Sequence, residues 1–208
     1  MNIVIVFAIP CYMASLARSA PVPQRSALVE DPEFVDIVQI SNSLTTKILM
    51  SIPDAHDSSI RSKALQLNSP ENSKFEQIAL EIGIHSAPQL RAVSESFSLE
   101  ACLRSMCEGL QLHQALLKSV TPRLQNGDKV KDLLPDIRDL VIQINKMLKM
   151  VQGEALVQPT PTPMTLNLPG DYEVQIAAHL TLVQLQSFGQ DMVRVLRNLV
   201  PNDEETQS

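Results

Sequence analysis

The C-terminal half of the chain holds three stretches with the apolar spacing of long amphipathic helices. The first contains CLRSMCEGLQLHQALL at residues 102–117, and the last ends with HLTLVQLQSFGQDMVRVLRNL at 179–199. The middle stretch is the most regular, with an apolar side chain every three or four residues between 130 and 148. This spacing predicts helices that each bury one face, and the connections between them restrict their arrangement.

Start and stop signals predict four long helices, at about residues 32–51, 98–120, 128–152 and 171–199. Asp31, Pro32 and Glu33 supply an N-cap, a proline in the first turn and an early acidic residue for the first helix. Pro53 is expected to end that helix, and Pro135 is expected to bend the start of the third. A short helix at 71–82 is predicted inside the long connection that follows the first helix.

The lengths of the connections predict the order of the helices in space. Helices of about 20 to 28 residues are roughly 30 to 42 Å long. About seven residues join the second helix to the third, so these two must run in opposite directions. The other two links, of more than about 40 and about 17 residues, can return the chain to its starting end. We therefore predict an all-α fold, an up-up-down-down long-chain four-helix bundle with two long crossover loops.

Residues 1–19 are predicted to be a cleaved signal peptide, so residues 20–208 would form one secreted domain. An apolar run at 3–9 is followed by a small-x-small pattern at Ala17 and Ser19, although no basic residue precedes the run. A membrane anchor is the alternative, but the apolar stretch is shorter than the roughly 20 residues that a spanning helix needs. The net charge is −6 and there is no basic stripe, so neither nucleic acid nor membrane insertion is expected.

The cysteines and histidines give little support for catalysis or for a metal or cofactor site. Cys102 and Cys107 lie about 140° apart around one predicted helix, so a disulfide between them is not expected. They are either small buried side chains, or Cys107 is an exposed thiol that can pair between molecules. His113 and His179 are expected at the edge of the core or at the surface. We therefore expect a protein that is not an enzyme and needs no metal or cofactor.

Several ordered blocks of this sequence resemble the granulocyte colony-stimulating factor family, long-chain helical cytokines of the interleukin-6 superfamily. The best blocks are Cys102-Leu103 followed by GLQLHQALL at 109–117, and LQSF at 185–188 followed by RVLRNL at 194–199. Smaller blocks are IGI at 82–84, AP at 87–88, AL at 155–156 and QPT at 158–160. The resemblance covers roughly residues 71–199 and includes the first helix only loosely.

The resemblance implies a secreted haematopoietic cytokine that drives proliferation and differentiation of granulocyte-lineage cells. It would be a monomer when free and would bring together a single-pass receptor through the ectodomain, of the granulocyte colony-stimulating factor receptor type. The family's main receptor-binding surface lies on the first and third helices. There Asp136 and Asp139 match acidic contact positions, whereas Asp36, Gln39 and Lys47 are only outward-facing candidates. Carboxylates three residues apart suit bidentate bonds from receptor arginines, but they also suit a solubilising role near a helix start.

The family's second receptor-binding surface includes the short helix of the first crossover. Glu71 and Glu76 are alternative matches for the glutamate that the family uses there. Thr160 matches a family O-glycosylation position, and the surrounding Thr-Pro repeat makes sparse O-glycosylation an expectation.

The sequence departs from the family at its two disulfides. Cys102 matches half of the second bridge, but Ala92 stands where its partner would lie. Ser62 and Asn68 occupy the approximate positions of the first pair, so no disulfide is expected and packing alone must hold the fold. Two other functions stay open: another interleukin-6-type cytokine, or a secreted amphipathic bundle that binds lipid.

Overall fold

The computed structural model describes residues 28–90, 98–152 and 164–199, and within these ranges the protein is helical and contains no strand. The all-α class predicted from the sequence is confirmed. The signal peptide predicted at residues 1–19 lies outside the described residues. None of the described helices is both long and apolar enough to span a bilayer. The elements are α1 (Pro32–Ser59), η1 (Pro70–Phe75, 3-10), α2 (Glu76–Ile82), α3 (Leu99–Val120), η2 (Thr121–Arg123, 3-10), α4 (Asp128–Gln152) and α5 (Asp171–Arg197).

Helix α1 is longer than predicted. It begins at its N-cap, where Oδ1 of Asp31 accepts a hydrogen bond of 2.9 Å from the backbone N–H of Glu33. It continues through Pro53 to Ser59, so the predicted end at residue 51 was wrong. Pro53 removes one backbone donor, but the turns around it bury one face against the core. The buried side chains there follow the helical spacing of the preceding turns: Ile52, Ala55, His56 and Ser59.

The connection between α1 and α3 contains the predicted short helix in two parts. Ser69 accepts a hydrogen bond from the N–H of Glu71 and starts η1, a 3-10 helix that buries no side chain. Helix α2 follows directly and buries Ala79 and Ile82. It ends at Gly83, whose φ of 93° is in the left-handed region that glycine adopts without strain.

The three later helices have bounds close to the predicted ones. Helix α3 starts at the N-cap Ser98, whose Oγ accepts from the N–H of Ala101, and α4 continues through Pro135 without a break. Helix α5 ends at Arg197 rather than at 199. Each of α1 and α3 packs against both α4 and α5, around a largely aliphatic core. Side-chain spacing along the sequence therefore predicted which faces are buried.

The core contains polar side chains that the sequence analysis did not place there. His113 and His179 are both fully buried, so their expected position at the core edge or surface was wrong. Cys102 and Cys107 are buried thiols, which excludes the exposed thiol considered for Cys107. The Sγ atom of Cys107 donates to Oδ1 of Asn145 on α4 at 3.4 Å. These cysteines act as small core side chains where α3 packs against the neighbouring helices.

Candidate functional site

An ion pair joins two of the sequence-predicted surface residues across the boundary between α1 and α4. Nζ of Lys47 lies 2.7 Å from Oδ1 of Asp136. The lysine side chain is 63% exposed, whereas that of Asp136 is only 16% exposed, so the carboxylate lies in the seam and the lysine covers it. Asp136 had been expected on an open helix face. A partner that binds this carboxylate must therefore share it with Lys47 or displace the lysine.

Asp139 lies one helical turn further along α4 and is more open. Its side chain is 47% exposed, and Oδ1 accepts hydrogen bonds of 3.0 and 2.9 Å from Nε and one Nη of Arg138. The arginine is adjacent in sequence and 64% exposed, so this pair is held at the surface. Exposed pairs of this kind contribute about 0–1 kcal/mol, which leaves the Asp139 carboxylate available to a cationic partner at little cost.

The remaining candidates on α1 share its solvent-facing side with Lys47. Asp36 and Gln39 are exposed, but they lie about 16 and 12 Å from Lys47 along the helix axis at 1.5 Å per residue. The structure therefore brings Lys47 and Asp136 together and leaves Asp36 and Gln39 as separate contacts further along. We call Asp36, Gln39, Lys47, Asp136 and Asp139 the α1–α4 surface.

A surface groove beside the Lys47–Asp136 pair adds a feature that sequence reasoning missed. Its floor and walls come from the C-terminal half of α1 and the first turns of α4, including Asp54, Lys129 and Asp132. Met50 lines this groove and is 75% exposed. The groove thus combines charges of both signs with one flexible apolar group, a composition common in protein interfaces.

The two glutamates considered for a second surface have different surroundings. Glu71 in η1 is 62% exposed and is paired with Lys74 one turn away. Glu76, also exposed, forms no ion pair within the described residues, and it borders a groove between α2 and α5. Leu80 lines the same groove and is 69% exposed. Because Glu76 lies beside an exposed apolar side chain, it is the better placed of the two to contact a protein partner.

Two buried histidines connect α1, α5 and η1. Nε2 of His56 lies 3.0 Å from Nδ1 of His179, and Nε2 of His179 lies 3.0 Å from Oδ1 of Asn72. The Phe75 ring meets His179 edge to face, with the centroids 6.1 Å apart. We call His56, His179 and Asn72 the histidine chain. Nothing in the sequence predicted it, because His56 and His179 are 123 residues apart and show no motif spacing.

Burial determines the protonation of these histidines. Burial, and to a smaller extent the nearby His56 ring, lower the pKa of His179 to about 4. Burial also lowers the pKa of His56, although Asp57 at 3.5 Å opposes this. Both rings are therefore neutral at pH 7. Their nitrogens are in direct contact, and no group of three or more metal-binding side chains occurs within the described residues.

No protein-family model matches this chain, and no curated protein sequence matches it. Thr160, the O-glycosylation candidate, lies outside the described residues, and so does Ala92. The geometry of the described residues and the sequence blocks that resemble the cytokine family are therefore what points to a function.

Proposed function

We propose that this protein is a secreted cytokine that binds and brings together single-pass receptors of the granulocyte colony-stimulating factor receptor type. Binding would drive proliferation and differentiation of granulocyte-lineage cells. The observation that carries this proposal is the α1–α4 surface, where acidic side chains lie at the position that the sequence resemblance assigns to receptor contact. Interface function of this kind needs exposed charges on a rigid scaffold, which two long packed helices supply.

The proposal includes an up-up-down-down arrangement of α1, α3, α4 and α5. Contacts between α3 and α4 support opposite directions for this pair, because the residue number rises on one helix as it falls on the other: Cys107 with Asn145, and Gln114 with the Leu134 carbonyl. Seven residues separate the two helices, 121–127, too few for a crossover.

Contacts of α1 support the rest of the arrangement. It meets α5 through His56 with His179, and through the Ser59 carbonyl with Gln175, so these two also run in opposite directions. Helices α1 and α4 also run in opposite directions, because Lys47 pairs with Asp136 and Asp54, further along α1, shares a groove with Lys129. If α1 opposes both α4 and α5, and α3 opposes α4, then α1 and α3 are parallel. That order is typical of long-chain cytokines.

The second receptor-binding surface is proposed at the groove between α2 and α5, with Glu76 as its charged contact and Leu80 as its apolar contact. The exposure of Leu80, and the absence of an ion pair at Glu76 within the described residues, support this choice over Glu71. Substituting Glu76 by alanine is expected to weaken assembly of the receptor complex more than substituting Glu71, measured by sizing the complex with receptor ectodomain.

The test of the main surface is binding of receptor ectodomain to the double variant Asp136→Ala/Asp139→Ala. We expect affinity to fall by about 2 to 5 kcal/mol, the usual cost of truncating charged interface pairs. The fold should persist, because the Arg138–Asp139 pair is exposed and because Lys47, the partner that Asp136 leaves behind, is 63% exposed and can be hydrated. Glu108→Ala is the matched control, since it removes an exposed acid from α3 on a different part of the surface.

Two outcomes would overturn the proposal. Unchanged affinity in the double variant, with an unchanged circular dichroism spectrum, would show that the α1–α4 surface does not bind the receptor. Absence of receptor binding and of progenitor proliferation, combined with flotation on lipid vesicles, would favour a lipid-binding bundle. The large apolar side chains exposed in the described residues argue against that alternative, because they are spread over several elements.

A further inference from the structure

The histidine chain has a fixed hydrogen-bond direction. Nδ2 of Asn72 donates to the carbonyls of Gln66 and Leu67 at 3.1 and 2.9 Å, so its Oδ1 must face His179 as an acceptor. Nε2 of His179 therefore carries the proton. Its Nδ1 is then an acceptor, and it receives the Nε2–H of His56 at 3.0 Å. One N–H thus lies between the two rings.

The two histidines respond differently to a second proton. A proton on Nδ1 of His56 leaves the chain intact, and the Asp57 carboxylate 3.5 Å away favours it. A proton on Nδ1 of His179 puts two N–H groups against each other at 3.0 Å, unless the proton of His56 moves from Nε2 to Nδ1 beside Asp57. In both arrangements the added charge lies on a fully buried ring, and the other ring nitrogen of His179 faces an amide oxygen rather than a carboxylate. Protonation of His179 is therefore the event that favours opening of the histidine chain.

Few other charged side chains lie around the histidine chain. On the segment after α1, Arg61 and Lys63 line the same groove as His56 and disfavour added positive charge there. On α2, Glu76 lines the groove that Asn72 shares. On α5, Gln175 bonds to the backbone at the end of α1 and carries no charge. No carboxylate is placed by these contacts to stabilise a protonated His179.

Residues 66–75, the segment that the histidine chain holds, have few other attachments. Helix η1 buries no side chain, and the backbone hydrogen bonds of residues 65–72 are local turns. Its described hydrogen bonds and ring contacts with α5 are those of Asn72 and Phe75, both with His179. Leu67 and Phe75 also pack on the core, but both are only partly buried. Segments with so few buried contacts open at low free energy, before the rest of the fold.

We propose that the histidine chain makes the first crossover acid-sensitive, so that mild acid detaches residues 66–75 from α5. This would weaken receptor binding at the proposed second surface, the groove between α2 and α5 that Glu76 and Leu80 line. This inference rests on the proposed function for its consequence, but not for the structural change. A receptor complex taken into an acidified compartment would then lose its second contact first. The main surface would be unaffected, because it lies on α1 and α4 and contains no histidine.

The size of the effect follows from the difference in the pKa of His179 between the closed state and the state in which residues 66–75 are detached. Its pKa is about 4 when buried and 6.5 when exposed. Between pH 7.4 and 5.5, linkage then favours the open state by about tenfold. The test is hydrogen exchange of residues 66–82 at these two pH values, corrected for the intrinsic rate. We expect about tenfold faster corrected exchange at pH 5.5, with a smaller change in α4.

His179→Gln is the variant that isolates the cause, because glutamine can bond to both neighbours but does not titrate. Its exchange in residues 66–82 should be the same at both pH values. His113→Phe is the matched control, since His113 is another buried histidine whose contacts are Gly109 and Phe188 rather than the crossover. This control should keep the full response of the wild type in residues 66–82.

The proposal is overturned if exchange in wild-type residues 66–82 does not depend on pH, or if H179Q keeps the tenfold response. Should H179Q fail to fold, NMR of the wild type decides: the His179 ring and the Asn72 side-chain amide must titrate with one midpoint. Receptor dissociation supplies the functional arm, with faster release at pH 5.5 in wild type but not in H179Q. Failure to bind receptor at pH 7.4 would refute the proposed function alone, because exchange is measured without receptor.

Discussion

Gly109 on α3 has no room for a side chain, and this gives a stringent test of the packing between α3 and α5. A Cβ added to Gly109 would lie 2.2 Å from Cζ of Phe188 and 2.5 and 2.8 Å from its Cε atoms. Phe188 is only 4% exposed, and the ring of His113 lies on it with the centroids 5.3 Å apart. The ring therefore cannot move away without disturbing the core.

Gly109→Ala is expected to destabilise the protein by about 1 to 2 kcal/mol. Alanine gains up to about 1 kcal/mol of helix propensity over glycine. Overpacking a filled core costs about 1 to 3 kcal/mol, and a contact of 2.2 Å calls for the upper part of that range. The free energy of unfolding is measured by urea denaturation followed by circular dichroism at 222 nm.

Gly189→Ala is the matched control, because Gly189 is also a helical glycine at a helix contact. Its added Cβ would lie 2.9 Å from Cδ2 of Leu49, a flexible and partly buried side chain that can rotate. We expect a net change within about 0.5 kcal/mol of zero, as propensity and repacking offset each other. If Gly109→Ala were as stable as Gly189→Ala, the close packing of Phe188 on α3 would be refuted. A double variant with Phe188→Leu should recover part of the loss through favourable coupling.

Three further predictions concern buried and capping groups. Burial lowers the pKa of His113 from 6.5 to about 4, so the stability that the neutral ring contributes is present above pH 6.5 and is lost as the pH falls towards 4. At pH 5 this lowers the free energy of unfolding by about 2 kcal/mol. His113→Phe should remove that loss, measured by urea titrations at pH 7 and 5. Asp31→Ala removes the cap of α1 and should cost about 1 kcal/mol, seen as a lower thermal midpoint. Burial raises the pKa of Cys102 to about 11 and that of Cys107 to about 12, so both should be alkylated far more slowly in native than in denatured protein.

The sequence predicted the helices well where a local pattern, such as an apolar repeat, a cap or a stop residue, determines where a helix lies. The apolar repeat of α4, the Ser98 cap of α3 and the Gly83 stop of α2 are local features that the sequence states directly. The end of α1 was predicted wrongly because Pro53 is a local signal against a helix. The burial of Ile52 and Ala55 outweighs that signal, and burial depends on the distant segments that cover them.

The candidate site was predictable only in part, for a similar reason. The exposure of Asp139 follows from its position relative to the apolar repeat of α4. The partial burial of Asp136 under Lys47 does not, since it depends on the register between two helices whose paired residues are 89 apart in sequence. The exposed Leu80 beside Glu76 also depends on how α2 lies on α5. Sequence spacing thus indicates which side of a helix faces solvent, but not which neighbour reaches across to it.

Two of the errors in the sequence prediction, the end of α1 and the position of His179, meet at the contact between His56 and His179. Had α1 ended at residue 51, His56 would have belonged to a loop and been free to face water. Because α1 continues through Pro53, the face that buries Ile48 and Ile52 also turns His56 towards α5. There it meets His179, which was expected near the surface but lies in the core. The helix extension that the local rule missed is therefore what brings His56 to His179, and His179 in turn contacts Asn72 in η1.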